Sequence, residues 1–219
     1  PYVQLALAAG KTRVEAEGFA FSHSRGLDVF REPFEVAASS AMWTRYLAAT
    51  VTSLGLNLGD QAVQTFAEAV RTEVDSIAFI EGAEALLAAL QKHVQSGDLR
   101  LGVASNLPIP YVARVMALLE KYIPTDNMTL SCWVGCRKPE KAFYDQVLGA
   151  MNCPPEEVIF VGDTFDQDVA LPMQYGMEGV WYNPKDKPVP ENQNEPTLII
   201  HNLEALTPHL QARLAERVR

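Results

Sequence analysis

Asp163 and Asp168 stand five positions apart in Val158-Ile159-Phe160-Val161-Gly162-Asp163-Thr164-Phe165-Asp166-Gln167-Asp168-Val169-Ala170. The four apolar residues before Gly162 read as a short buried strand. Gly162 interrupts the run and lets the backbone turn. Asp163 then lies just past a strand end, and Asp168 begins a helical pattern through Val169, Ala170 and Met173. Open parallel sheets bind ligands at the carboxyl ends of their strands. Two carboxylates there repel each other unless a cation lies between them. Mg²⁺ suits the position, because it takes one or two carboxylates together with water and phosphate oxygen. By itself the pair reads equally well as a solvated acidic turn with an Asp helix cap.

Two further strand ends carry groups of related chemistry. Ser105-Asn106 follows the apolar run Leu99–Ala104 and precedes Pro108. It offers a hydroxyl, an amide and backbone N–H groups before a helix N-terminus, a setting for phosphate; alone it is also a plain helix cap. Lys138 precedes Pro139, which favours an extended backbone. Its ammonium is a point charge that can neutralise a phosphate or an acidic intermediate; alone it is a solvated lysine. Ser, then Lys-Pro, then the acid pair, each after a strand, is more specific than any part.

The elements that position these groups divide the chain near Phe79. Before it the pattern is helical. Tyr2 to Ala9 fits a helix or a strand, and Glu17 to Phe34 reads as a loop or broken helix containing His23 and Arg25. Met42 to Leu54 places Trp43, Leu47, Val51 and Leu54 on one helical face, and Phe66, Val70 and Val74 mark another. After Phe79, helices and strands alternate. A helix opens at Glu81-Gly82; strands are expected at Leu99–Ala104, Met128–Val134, Val158–Val161, Gly179–Tyr182 and Thr197–Ile200; a terminal helix carries Leu203, Leu206 and Leu210. This alternation predicts an α/β fold with a Rossmann-like parallel sheet covered on both faces.

The 219 residues suffice for one large domain or a core with an appendage, and 48% hydrophobic content is enough to bury a full core. A net charge of −9 disfavours nonspecific binding to nucleic acid or anionic membrane. It also requires that an anionic substrate be drawn in locally, by a metal or a placed lysine. No apolar run reaches bilayer-spanning length. Cys132, Cys136 and Cys153 are odd in number and lack a zinc-ligand pattern, which reads as reduced thiols in a cytoplasmic protein.

Leu101-Gly102-Val103-Ala104-Ser105-Asn106, Arg137-Lys138-Pro139 with Phe143, and Val161-Gly162-Asp163-Thr164 through Asp168 resemble the second, third and fourth motifs of the haloacid dehalogenase (HAD) superfamily. The resemblance covers about Phe79 to Leu210, and the preceding helical region is similar to the cap many such proteins carry. It implies a helical cap over 1–78 and a HAD-like core over 79–219. It implies that Ser105 and Asn106 hold the phosphoryl oxygen, that Lys138 steadies the nucleophile and its phosphoaspartate, and that Asp163 and Asp168 place Mg²⁺. The acidic pair matches the Mg²⁺-dependent phosphatases rather than the metal-free dehalogenases.

One element of the resemblance is not met. The first motif, DxDx(T/V), which carries the nucleophilic and the acid/base aspartates, does not precede the cap-like region. The nearest place, Ala8-Ala9-Gly10-Lys11-Thr12, has no carboxylate. Two expectations follow. Either the first core strand and its motif lie upstream of residue 1, or the protein is a degenerate member that binds a phospho-ligand or a partner without turnover. The first gives a cytoplasmic phosphomonoester hydrolase for a small phosphorylated substrate, with no nucleic-acid or membrane partner. His23, Arg25, Trp43 and Arg45 are then candidate cap contacts. A 2-haloacid dehalogenase is a further alternative.

Overall fold

The structure, a computed structural model, describes residues 60–107 and 109–217. The helices expected before residue 60, and His23, Arg25, Trp43 and Arg45 with them, lie outside the described residues. The described chain forms two compact units: one gathers 60–78, 105–119 and 130–137, the other 79–104, 120–129 and 138–217.

In the first unit, α1 (Asp60–Ser76) buries Phe66, Val70 and Val74, the stripe expected from their helical spacing. Helix α3 (Ile109–Leu119) packs on it, and Arg114 Nε donates to the Ile77 carbonyl at 2.9 Å. The Leu107 N–H donates to Ser131 Oγ at 3.0 Å, which ties the loop after Asn106 to the short helix that begins at Ser131.

The second unit is built on strands. After α2 (Ala83–Ser96), β1 (Val103–Ser105) and β2 (Met128–Leu130) form a two-stranded sheet, and both strands run on into the first unit. The sequence pattern suggests a strand over Met128–Val134. The structure ends it at Leu130 and makes Ser131–Val134 a single helical turn, α4, closed by Gly135 at φ 70°. That left-handed conformation suits glycine and lets the Gly135 N–H return to the Ser131 carbonyl. Likewise the strand expected over Leu99–Ala104 begins only at Val103.

Helix α5 (Lys141–Met151) leads to the three-stranded sheet β3 (Ile159–Gly162), β4 (Glu178–Tyr182) and β5 (Leu198–Ile200), in that order and all parallel. Alternate residues face opposite sides, as a period of two requires. On one side Val180 and Ile200, with Ile159 and Val161, pack on Leu90 of α2 and on Leu206 and Leu210 of the terminal helix α7 (Leu206–Arg217). On the other, Trp181 packs with Phe165, Val169 and Ala170.

Those last three residues belong to a wide, π-type helical turn, Phe165–Ala170, that runs into α6 (Leu171–Gln174). The helix therefore starts three residues before Asp168 rather than at it. Pro172 accounts for part of the irregularity, since it has no N–H to return to the Asp168 carbonyl. The helix lies close on β4: a Cβ on Gly179 would come within 2.8 Å of Met173 Cγ and 3.0 Å of Val169 Cγ1. No described helix is long and apolar enough to cross a membrane.

Candidate active site

The carboxyl end of β3 holds the acid pair. Gly162 is the last residue of the strand, Asp163 follows it and is exposed, and Asp168 returns into the interior at 4% exposure. Lys138 Nζ meets Asp168 Oδ1 at 2.6 Å, with the two side chains only 12% and 6% exposed. The Thr164 N–H donates to the other carboxylate oxygen, Oδ2, at 3.0 Å. Both oxygens of Asp168 are therefore engaged by positive or donor groups. Removing two charges from water is costly, and short charge-assisted hydrogen bonds on every side offset that cost.

Gly162 has a different reason for being glycine than the turn expected from sequence. A Cβ there would lie 2.5 Å from Cβ, Cγ and Oδ2 of Asp168. The strand end has to be bare so that the carboxylate can fold back against it. Asp163 is held from the other side, where Trp181 Nε1 donates to its backbone carbonyl at 3.2 Å. The Lys138 ammonium also lies 6.0 Å from the centre of the Phe160 ring, so β3 backs both the acids and the base. The Lys138–Pro139 peptide is cis.

Tyr144 was not singled out by the sequence pattern. It is fully buried on α5, and its hydroxyl donates to the Gln167 carbonyl at 2.7 Å, one residue before Asp168. Burial, and then the negative charge of Asp168 and the neighbouring Tyr175, push its pKa upward. It stays a neutral donor that clamps the turn carrying Asp168. Helical spacing marks Tyr144 only as a core position, because its bond is to a backbone carbonyl that no residue type announces.

Lys138 and Asp168 are thus in direct contact, and Asp163 lies five residues before Asp168 on the same connection after β3. Ser105 and Asn106 belong to the first unit, where Ser105 ends β1 and both are half-buried. Among the described residues no cluster of three or more His, Cys, Asp or Glu is assembled for a metal. Zinc, which wants a four-ligand N/S set, does not fit such donors. A hard ion that keeps several waters does: Asp163 presents an exposed carboxylate, with Asp168 behind it fixed by Lys138.

Residues 135–206 match the family profile described as HAD-hydrolase-like. Pyrimidine 5'-nucleotidase YjjG of Escherichia coli is 27% identical over 185 residues, covering 78% of each chain. Drimenol cyclase drtB of Aspergillus calidoustus is 32% identical over 96 residues, covering 44% of this chain and 18% of that protein. The glyceraldehyde 3-phosphate phosphatase of Pyrococcus furiosus is 28% identical over 104 residues, covering 47% and 41%. The match therefore spans less than half of two of these three relatives. Among solved structures, a HAD phosphatase from Thermococcus onnurineus superposes with a TM-score of 0.61 at 19% identity, over 95% of this chain and 86% of that one. The 2-haloacid dehalogenase of Pseudomonas syringae does so at 0.57 and 23%, over 97% and 88%. The fold is common to both chemistries and does not choose between them.

Proposed function

We propose that this chain is a member of the haloacid dehalogenase superfamily and acts as a Mg²⁺-dependent phosphomonoester hydrolase on a small phosphorylated metabolite, a reading supported by the match of residues 135–206 to the HAD-hydrolase-like family. The observation that carries the reading is the buried Lys138–Asp168 pair at the end of β3, with the exposed carboxylate of Asp163 beside it. A dehalogenase acting without metal has no use for that second carboxylate. The two relatives whose names state a phosphorylated substrate, a nucleotidase and a triose phosphate phosphatase, support the substrate class. A cytoplasmic location goes with it.

In this reading an aspartate nucleophile attacks phosphorus in line, forming an aspartyl phosphate as the P–O bond to the leaving group breaks. A second aspartate protonates the departing alkoxide. Ser105 and Asn106 donate to the transferred phosphoryl oxygens. Lys138 offsets the negative charge on the nucleophile and the intermediate, and Asp168 aims it. Water then cleaves the acyl phosphate and releases inorganic phosphate. Asp163, with Asp168 behind it, would hold Mg²⁺, which when bound supplies charge neutralisation at the phosphoryl oxygens. Residues 1–78, whose sequence pattern resembles a cap, would exclude water and select the substrate.

A non-catalytic protein of the same fold that binds a phospho-ligand or a partner is the second reading. One assay separates the two. The natural full-length polypeptide is offered a panel of phosphate esters with Mg²⁺ and then with EDTA. Phosphate release that EDTA abolishes supports the hydrolase. No release from any ester supports the binding protein, and halide release from a 2-haloacid without metal sinks both.

A further inference from the structure

Trp181 stands opposite Gly162 in the β3–β4 register, so the two residues share one level and one face of the sheet. Gly162 has no side chain, and the Asp168 carboxyl group fills the space above it. Trp181, next to that carboxyl, is 3% exposed. Its ring meets Phe165 edge to face, with centroids 4.9 Å apart and planes at 79°. That packing sets the direction of its single N–H. A buried indole N–H needs an acceptor, and this one donates to the Asp163 carbonyl at 3.2 Å.

That carbonyl belongs to the peptide unit joining Asp163 to Thr164. The N–H of the same unit is the one that donates to Asp168 Oδ2 at 3.0 Å. The unit is planar and trans, so its C=O and N–H point in opposite directions within one plane. It is therefore gripped at both ends, by the indole on one side and by the Asp168 carboxylate on the other. Lys138 Nζ holds the far oxygen of that carboxylate at 2.6 Å. Hydrogen bonds linked in this way polarise one another. Turning the plane over would break both contacts and point a carbonyl oxygen at a buried carboxylate, which is costly. We propose that Trp181 is a positioning residue for Mg²⁺, presetting the Asp163 and Asp168 carboxylates for the ion by fixing the peptide plane that ties them together. It acts through the backbone, since an indole N–H is a donor only and cannot ligate a cation. The assignment rests on the reading above that these two carboxylates hold Mg²⁺.

The test separates this role from ring packing on Phe165 by keeping the ring and removing the N–H. The full-length polypeptide is made with 3-benzothienylalanine at position 181, where sulfur replaces the N–H and the bicyclic shape stays. Trp181→Phe is the second variant. Mg²⁺ affinity is measured by isothermal calorimetry without any ester. It is expected to weaken about fivefold in the benzothienyl protein, the worth of one hydrogen bond, and at least as much in Trp181→Phe. Turnover at saturating Mg²⁺ should fall less than the affinity does. In the parent, the indole N–H magnetic resonance signal missing from Trp181→Phe should shift as Mg²⁺ is added, and should stay still in Asp163→Asn. Parental Mg²⁺ affinity in the benzothienyl protein overturns the assignment, whatever Trp181→Phe does, because the ring then acts by packing alone. An indole signal unmoved at saturating Mg²⁺ overturns it as well. Phosphate ester turnover is followed in the same samples. Weakened Mg²⁺ binding with no ester hydrolysed by the parent keeps the positioning role and counts against the hydrolase reading. Hydrolysis that EDTA abolishes, with Mg²⁺ affinity equal in parent and benzothienyl protein, keeps the hydrolase and removes the positioning role. No Mg²⁺ binding by the parent overturns both.

Discussion

Asp168 lies against the backbone of Gly162 so closely that a methyl group at position 162 would come within 2.5 Å of three of its side-chain atoms. Strand end and carboxylate therefore occupy one shared volume. In Gly162→Ala one of them has to move. Crowding of a packed site of this kind costs about 1–3 kcal/mol. Because Asp168 is the movable partner, the Lys138 contact goes with it. Urea denaturation should show the loss of stability, and phosphate release by the full-length polypeptide should fall with it. Unchanged stability would mean that the strand end yields instead.

The Lys138–Asp168 pair makes a non-additive prediction. Lys138→Met leaves a buried carboxylate without its cation, and Asp168→Leu leaves a buried ammonium without its anion. Each single change should cost about 3–5 kcal/mol. The double replacement removes both charges and should cost much less than the sum. A denaturation cycle over the four proteins measures the difference, and additive losses would show that the two side chains do not depend on each other.

Tyr144 gives a pH dependence with a definite sign. Its pKa in the folded protein is raised, above all by burial. Folding therefore retains a proton that the unfolded chain loses near its ordinary value of about 10. The stabilisation is fully present below that pH and is lost as pH climbs through and above it. Tyr144→Phe removes the hydrogen bond to the Gln167 carbonyl, at a cost of about 1 kcal/mol at neutral pH. It also removes the tyrosine's share of the alkaline decline. Melting temperatures of both proteins across about pH 8 to 11 should converge as the pH rises; parallel curves would mean that this hydroxyl does not titrate differently in the two states.

The sequence revealed this centre in part because short apolar runs ending in Gly-Asp or Ser-Asn have few alternatives to a strand end. The β3 segment was legible for that reason; β4 and β5 were legible from their apolar runs, and the stripe of Phe66, Val70 and Val74 from its helical spacing. What stayed hidden depends on distance in space. Nothing in the residue types says that Gly162 is bare for the sake of Asp168. Tyr144 looks like any core aromatic until its hydroxyl is seen on a backbone carbonyl. The one-turn helix Ser131–Val134 hides inside an apolar run that suits a strand equally well, and only Gly135, left-handed at φ 70°, decides it. The grouping of 105–119 and 130–137 with residues far upstream was also out of reach, because those segments are distant in sequence.

Asp163 should separate function from stability. Its side chain is exposed, in contrast to the buried Asp168, and its only described tie is a backbone carbonyl that accepts from Trp181. Asp163→Asn keeps that tie and nearly the same shape, so stability should change by no more than about 0.5 kcal/mol. If the carboxylate holds Mg²⁺, the same variant should need far more Mg²⁺ for half-maximal phosphate release and should turn over slower by orders of magnitude. Lys138→Ala should slow turnover similarly while leaving the Mg²⁺ requirement near that of the parent, because it removes a charge from the phosphoryl site and no ligand from the ion. Titrating Mg²⁺ against activity in the three full-length proteins, with isothermal calorimetry of Mg²⁺ as an independent readout, tests both assignments. Normal Mg²⁺ affinity in Asp163→Asn would remove this residue from the metal site.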